Sequence, residues 1–174
     1  MQTATVQKIK TDPSRMDVNR LKKLKPIKSL LLGDRSKGVM LLEHGVVAKS
    51  YDKHSKAQVQ RFQKEVTILK RLKGCRSVPQ LYGVDDGNKT MWMSYVGRNQ
   101  PLTRQQKIEV NKVLRHLGEK YHVFRVKGGT AKFTYRDLFP ANICVDPSGN
   151  VKIIDFGSNL WQIHDSSYKT YLSH

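Results

Sequence analysis

The chain has 174 residues, of which 38% are hydrophobic and 26% charged, a composition that excludes wholesale disorder. Its two cysteines follow no metal-ligand spacing, and no apolar run resembles a signal region or a transmembrane segment, so we expect a reducing, cytoplasmic location. The 32 Lys and Arg residues against 14 Asp and Glu give a net charge of +18, which suits polyanions such as nucleic acid, anionic lipid, ATP or an acidic protein.

Residues 1–28 are polar and basic and contain two prolines, so we interpret them as a basic N-terminal arm. Within the arm, Asp17 is a suitable N-cap for a short helix with Val18, Leu21 and Leu24 on one side. Such a helix would suit a membrane surface or a partner protein. The interpretation that we favour is an arm that packs loosely on the folded domain.

Residues 29–96 alternate between strand-like runs and one helical run. The helical run, Lys56 to Leu72, has Phe62, Val66 and Leu69 at positions i, i+4 and i+7. Asp85-Asp86-Gly87-Asn88 predicts a hairpin between the last two strands. The five predicted strands are Ser29–Gly33, Gly38–Glu43, Val46–Tyr51, Gln80–Val84 and Thr90–Val96.

A second helix is predicted to begin at Thr103, because Gln106 three residues later completes a capping-box pattern. Apolar residues at helical spacing carry this helix to Tyr121, and we expect the following "KGGTAK", residues 127–132, to be flexible. The segments "ICV" and "VKII" then read as two short strands. The turn "DPSGN" joins them into a hairpin.

Three oxygen-bearing side chains surround this hairpin: Asp137, Asn142 five residues later, and Asp155 thirteen residues further on. Mg²⁺ prefers carboxylate and amide oxygens as ligands. Phosphoryl transfer from ATP requires bound Mg²⁺, a cation on the phosphates and a carboxylate that orients the acceptor. Because a hairpin folds the chain back on itself, ligands distant in sequence would converge. The pattern therefore indicates magnesium and a nucleoside triphosphate.

The segments "YRDLFPAN" and "IIDFG", which contain these residues, resemble the catalytic loop and the magnesium loop of the protein kinase family. The resemblance implies an ATP- and Mg²⁺-dependent phosphotransferase, most consistent with a serine/threonine protein kinase. It makes Asp137, with Arg136 beside it, the carboxylate that accepts or orients the acceptor's hydroxyl proton. Asn142 and Asp155 would be the magnesium ligands.

The resemblance extends upstream. In "VVAKSY", Lys49 occupies the place of the family's lysine that holds the α- and β-phosphates, and Glu65 occupies the place of the acid that pairs with it. The segment "MWMSYVG" is similar to the fifth strand and hinge, which implies backbone contacts to adenine and a gatekeeper residue at Met93. The nucleotide-binding residues that the resemblance implies are Gly33, Arg35, Gly38, Lys49, Met93, Ser94, Tyr95 and Val96.

Three departures from the family pattern keep other functions open. Arg35 replaces the middle glycine of the glycine-rich loop, and Phe139 stands where serine/threonine kinases carry a phosphate-contacting lysine. Only nineteen residues follow Asp155, which suggests a truncated large lobe. One alternative is a kinase-like phosphotransferase that acts on a sugar, a lipid headgroup or an antibiotic. Another is a kinase-shaped binding module that engages an acidic partner.

These observations predict an α+β, bilobal, protein-kinase-like fold. Residues 29–96 would form an N-terminal lobe of five antiparallel strands and one helix. Residues 97–174 would form a reduced, mainly helical C-terminal lobe with the catalytic and magnesium loops. Nucleotide would bind between the lobes, beside a hinge near Val96 and Gly97. The expected partners are ATP, a hydroxyl-bearing acceptor on a protein, and an acidic protein or anionic surface.

Overall fold

The computed structural model describes residues 12–30 and 38–164, which form a mixed α+β structure with few helices. Within these ranges no helix combines the length and the apolar character needed to cross a membrane. The three α-helices are α1 (Val18–Leu21), α2 (Lys56–Arg71) and α3 (Arg104–Tyr121).

The strands in the first half of the described chain form a five-stranded antiparallel sheet, as predicted. Its strands are β1 (Pro26–Ser29), β2 (Gly38–Leu42), β3 (Val46–Ser50), β4 (Leu81–Asp85) and β5 (Thr90–Ser94), in the order β1-β2-β3-β5-β4. The first strand begins three residues earlier than predicted, at Pro26. Because β1 is an edge strand, it tolerates a proline. Residues 31–33 of the predicted strand lie outside the described residues.

Helix α2 covers one face of this sheet, and its bounds agree closely with the predicted helix. The hydroxyl oxygen of Ser55 accepts a hydrogen bond from the Gln58 N–H and caps the helix. The buried side of α2 includes Phe62, Val66 and Leu69, as the helical spacing indicated. These residues belong to the same buried cluster as Val47, Met91 and Met93 of the sheet.

The described part of the N-terminal arm packs on the opposite face of the sheet. Met16 and Leu21 are buried in a cluster with Val46 and Trp92, whereas Val47 belongs to the cluster of α2. Because successive side chains of a strand point to opposite faces, the arm and α2 lie on opposite sides of β3. Asp17 accepts a 2.8 Å hydrogen bond from the Arg20 N–H, so it caps α1 as predicted.

The chain leaves the five-stranded sheet through Val96 and Gly97. The Tyr95 N–H donates to the Gly45 carbonyl at 2.8 Å, between β2 and β3. Two backbone hydrogen bonds, of 2.9 and 3.2 Å, join Arg98 to Val145 in the second half of the chain. Gly97 has a φ of 114°, and a side chain there would collide with the Val145 carbonyl. Only glycine suits both the conformation and this close approach.

The second half of the described chain contains α3 and two small antiparallel sheets. The capping box predicted at Thr103 and Gln106 is present at the start of α3. One sheet has the strand order β10-β6-β7, and the other is the hairpin β8–β9. Their strands are β6 (Val123–Lys127), β7 (Thr130–Lys132), β8 (Ile143–Val145), β9 (Val151–Ile153) and β10 (Trp161–Ile163).

Residues 97–164 match the predicted mainly helical second lobe only in part, because the 18-residue helix α3 is accompanied by five strands of three to five residues. The segment 127–132, which we expected to be flexible, contains the turn and second strand of the β6–β7 hairpin. The physical reason lies in the sequence, because "VFRV" is rich in β-branched and aromatic residues. Gly128 and Gly129, with φ values of 62° and 76°, form a two-residue turn that favours a hairpin.

Candidate active site

Three residues that are distant in sequence meet in one ionic cluster. The Nζ atom of Lys49 on β3 lies 2.8 Å from Oε2 of Glu65 on α2 and 2.8 Å from Oδ1 of Asp155, which follows β9. Glu65 is only 2% exposed, and a carboxylate so desolvated requires a compensating charge. The pair of Lys49 and Glu65 that the resemblance implies is therefore formed, and Asp155 joins it.

Both carboxylate oxygens of Glu65 are engaged. The Tyr51 hydroxyl donates to Oε2, which also accepts from Lys49, and the Phe156 backbone N–H donates to Oε1 at 3.3 Å. Glu65 thus connects α2 to the segment that carries Asp155. The sequence reasoning missed Tyr51. Tyr51 could have been recognised from its position two residues after Lys49 in an extended run, because this spacing places both side chains on one face.

The charges of the cluster determine its protonation. Burial alone would lower the pKa of Lys49, but the negative charge of Glu65 and Asp155 outweighs it and holds this pKa well above the usual range. Burial opposes ionisation of Asp155 too, yet the Lys49 ammonium group keeps the pKa of this carboxyl below its ordinary value. Burial and the adjacent Glu65 raise the pKa of Tyr51. At neutral pH the cluster contains a cationic Lys49, an anionic Asp155 and a neutral Tyr51.

We predict that Glu65→Gln lowers the free energy of unfolding by about 3 kcal/mol, the lower end of the range for breaking a buried ion pair, because Asp155 still pairs with Lys49. Urea denaturation would measure the change. Glu119→Gln, an exposed acid on α3, is the matched control and should change stability by less than about 0.5 kcal/mol. A Glu65→Gln protein as stable as this control would contradict the prediction.

Asp155 has a backbone conformation that few residues adopt. Its φ is 63°, in the left-handed region, where Asp is enriched relative to most other residues. The side chain is 44% exposed, so the carboxylate reaches solvent while Oδ1 contacts Lys49. Two residues later, Gly157 packs against α2, where an added Cβ would lie 3.2 Å from the Arg61 carbonyl oxygen. A small residue at position 157 thus allows the segment to approach α2.

The β8–β9 hairpin brings Asn142 and Asp155 to the same end. Ile143 pairs with Ile153, and the Ile154 N–H donates to the Asn142 carbonyl at 2.9 Å. Asn142 thus lies directly before this hairpin and Asp155 directly after it, as the sequence predicted. Asn99, which the sequence reasoning missed, supports the loop because its side-chain amide donates to the Ile143 carbonyl at 2.8 Å.

Asp137 lies in a separate turn, a 3₁₀ helix formed by Tyr135–Asp137. The Thr134 hydroxyl donates to its Oδ2 at 2.5 Å, and the Nε–H of Arg125 donates to its backbone carbonyl. Arg136 is exposed. Among residues 12–30 and 38–164, no hydrogen bond or ion pair joins the Asp137 carboxylate to Lys49, Asn142 or Asp155. The loop supports from Arg125 and Thr134 were missed by the sequence reasoning.

Two of the residues implied for the nucleotide's phosphates, Gly33 and Arg35, lie outside the described residues. Gly38 is the first residue of β2, and its neighbour across the sheet is Ser50, next to Lys49. Met93 is buried on β5. The structure thus places Gly38 at the same end of β3 as Lys49, and Met93 in the core beneath the sheet.

The hinge segment has fewer free backbone donors than the resemblance implied. The Ser94 N–H donates to the Gln80 carbonyl at 2.9 Å, and the Tyr95 N–H donates to Gly45. Within the described part of the chain, the Val96 N–H is the one donor of these three that has no backbone or side-chain partner. Of these three residues, Val96 is therefore the one whose N–H could contact adenine.

A cavity of about 470 Å³ lies beside the hinge. It is bounded by Ser94, Tyr95 and Val96 on one side and by the β8–β9 turn, with Asp146 and Pro147, on the other. Neither Lys49, Glu65 nor Asp155 lines this cavity. The cavity is therefore distinct from the ionic cluster.

The described residues contain no group of three or more His, Cys, Asp or Glu side chains that could hold a metal ion. Cys75 and Cys144 are both buried and unpaired. Burial raises the pKa of the Cys144 thiol to about 11, so it is a protonated, unreactive group at neutral pH. Cys144 is thus a packing residue of the core. Metal binding would depend on Asn142 and Asp155, with further ligands supplied from outside the protein.

No protein-family model matches the chain. Over 107 residues the chain is 31% identical to a protein of Encephalitozoon cuniculi described as "Probable cAMP-dependent protein kinase catalytic subunit". The match includes 59% of this chain and 33% of that protein, so the chain spans about a third of the length of the relative. This similarity, together with the five-stranded antiparallel sheet, supports a kinase-like relationship.

Proposed function

We propose that the chain transfers a phosphoryl group from Mg·ATP to a hydroxyl group, most consistently that of a serine or threonine in a protein. The observation that carries this proposal is the ionic cluster, in which Lys49 lies 2.8 Å from both Glu65 and Asp155. Burying Glu65 and placing a second acid beside it costs free energy. A purely structural core would be served as well by apolar residues at these positions.

The donor set fits Mg²⁺. Asp155 is 44% exposed, and Asn142 contributes an amide at the same end of the hairpin. Mg²⁺ is usually bound through one or two side-chain oxygens, with waters and substrate phosphates as the other ligands. The absence of a three-residue acidic cluster among the described residues is therefore compatible with magnesium bound together with a nucleotide.

Each residue would have a distinct task. Bound Mg·ATP would supply the phosphoryl group and neutralise the charge on its oxygens. Lys49 would hold the α- and β-phosphates, and Glu65 would keep the ammonium group in place. Asp137 would orient the acceptor hydroxyl and take its proton. Val96 would offer its backbone N–H to adenine.

A small-molecule acceptor is the second candidate. The relative's description as a protein kinase favours a protein acceptor. Phe139, however, is 63% exposed and stands two residues after Asp137, where a serine/threonine kinase would carry a lysine. An exposed aromatic ring next to the acceptor position would suit the apolar face of a sugar or an antibiotic.

Incubation with γ-labelled ATP and Mg²⁺ tests the proposal. The purified chain would be mixed with lysate proteins in one arm and with a metabolite extract in the other, with Lys49→Met as the inactive control. Label in protein supports a protein kinase, and label in a metabolite supports the second candidate. No label, combined with stabilisation by Mg·ATP, would indicate a kinase-shaped binding module. If neither label nor stabilisation were observed, nucleotide chemistry would be refuted altogether.

A further inference from the structure

Arg125 is a buried charged residue with no role in the ionic cluster. It lies in the middle of β6 between Phe124 and Val126, and it is only 5% exposed. Burying a guanidinium group is unfavourable unless the group is hydrogen-bonded and compensated by an opposite charge. An apolar residue would complete this strand at lower cost. The buried guanidinium group of Arg125 therefore requires a hydrogen-bonding partner.

The partner is the loop that carries Asp137. The Nε–H of Arg125 donates to the backbone carbonyl of Asp137. Burial lowers the pKa of Arg125, and the negative charge of Asp137 opposes this effect. Arg125 lies on the central strand of its sheet, where Trp161 on β10 and Lys132 on β7 are its neighbours. Because the backbone of a central strand is hydrogen-bonded on both sides, Arg125 is well placed to hold the Asp137 loop.

The guanidinium group also contacts the core beneath the ionic cluster. It lies 6.0 Å from the ring centroid of Trp161, a fully buried residue. The Trp161 ring packs on Phe156, with 4.7 Å between the centroids. The Phe156 N–H, in turn, donates to Glu65. A continuous series of contacts thus runs from the Asp137 loop to the Lys49–Glu65 pair.

We propose that Arg125 is a positioning residue that holds the Asp137 loop in a fixed relation to the cluster of Lys49, Glu65 and Asp155. The proposal rests on the function proposed for Asp137. Because no direct contact within the described residues joins Asp137 to that cluster, its placement depends on the supports of the loop. Arg125 is a support that reaches both the loop and the core of the cluster.

Steady-state kinetics of Arg125→Met would test this proposal. We expect kcat to fall by about 100-fold, the effect of misplacing a reacting group by about 1 Å, with the KM for ATP changed by less than about threefold. Arg125→Lys keeps the positive charge but not the planar guanidinium group, and its kcat should be roughly tenfold higher than that of Arg125→Met. Lys127→Met, an exposed residue of the same strand, is the control and should leave kcat unchanged. A wild-type kcat in Arg125→Met would overturn the proposal.

Hydrogen–deuterium exchange tests the positioning role without relying on activity. Amides of residues 134–142 should exchange faster in Arg125→Met than in the wild type or in Lys127→Met, while those of α2 should be unchanged. Unchanged exchange in residues 134–142 would overturn the positioning role. If Arg125→Met does not fold, the same two measurements are made on Arg125→Lys. A wild-type kcat and a wild-type exchange pattern in Arg125→Lys would then overturn the positioning role. If the wild type transfers no phosphate, the function of Asp137 fails, and the exchange result still tests the role of Arg125.

Discussion

Asp137→Asn is expected to reduce phosphoryl transfer by about 10²–10⁴-fold and to leave Mg·ATP binding intact. The physical reason is that an amide cannot accept the acceptor's proton, although it has nearly the shape of the carboxylate. Its oxygen can still accept the hydrogen bond from Thr134, so the turn Tyr135–Asp137 should remain folded. Transfer would be measured with labelled ATP, and binding by the increase in unfolding temperature that Mg·ATP produces.

Asp86→Asn is the matched control for this substitution, because Asp86 is an exposed acid in the β4–β5 turn. It should transfer phosphate at the wild-type rate. If Asp137→Asn also retained the wild-type rate, another group would have to act on the acceptor hydroxyl. If it lost both transfer and binding, Asp137 would be a nucleotide or metal ligand and not the acceptor's carboxylate.

Asp155→Asn is expected to abolish both transfer and stabilisation by Mg·ATP. At a ligand concentration of about 100 times the dissociation constant, the wild type should gain about 2.7 kcal/mol in unfolding free energy. The Asn variant should gain almost nothing, because its neutral amide replaces the charged magnesium ligand. Asn also tolerates the left-handed backbone at this position. Lys49 retains Glu65 as its partner, so the variant should fold.

Urea denaturation with and without Mg·ATP would measure the stabilisation, and incubation with labelled ATP would measure the transfer. ATP without Mg²⁺ is a useful second condition, since a contribution of Lys49 alone to phosphate binding should be equal in the two proteins. Equal stabilisation of the wild type and Asp155→Asn by Mg·ATP would show that the metal is held elsewhere. The assignment of Asn142 and Asp155 as ligands would then be wrong.

Local signals predicted the regular elements well. The bounds of α2 and α3 could be read from helical spacing and from the capping box of Thr103, because these depend on neighbours within one or two helical turns. The β8–β9 hairpin followed from its turn residues in the same way. The β6–β7 hairpin was missed although its signal was local. A glycine pair alone suggests flexibility, but between two β-prone runs it forms a two-residue turn.

Contacts between distant segments could be predicted only where a family resemblance supplied them. The resemblance implies the pair of Lys49 with Glu65, which are 16 positions apart. The direct contact of Lys49 with Asp155, 106 positions away, emerges only from the structure. The supports from Asn99 and Arg125 follow no such motif. Asn99 reaches residues more than 40 positions away, so nothing in its own surroundings indicates its partner. Such contacts require the tertiary structure.

The backbone hydrogen bonds on either side of Val96 and Gly97 restrict how the sheet could move relative to the β8–β9 hairpin. Tyr95 is bonded to Gly45 of the sheet, and Arg98 is bonded to Val145 of the hairpin. The hairpin is also bonded to the segment between α2 and β4, because the Ile153 N–H donates to the Ser77 carbonyl at 2.9 Å and Lys152 Nζ donates to the Arg76 carbonyl at 2.7 Å. A rotation of the sheet relative to the hairpin about Val96 and Gly97 would therefore have to break these bonds. Because Asn142 and Asp155 flank the same hairpin, both would travel with Arg98, while Lys49 and Glu65 would travel with the sheet. Such a rotation would separate Lys49 from Asp155 and leave the Lys49–Glu65 pair intact.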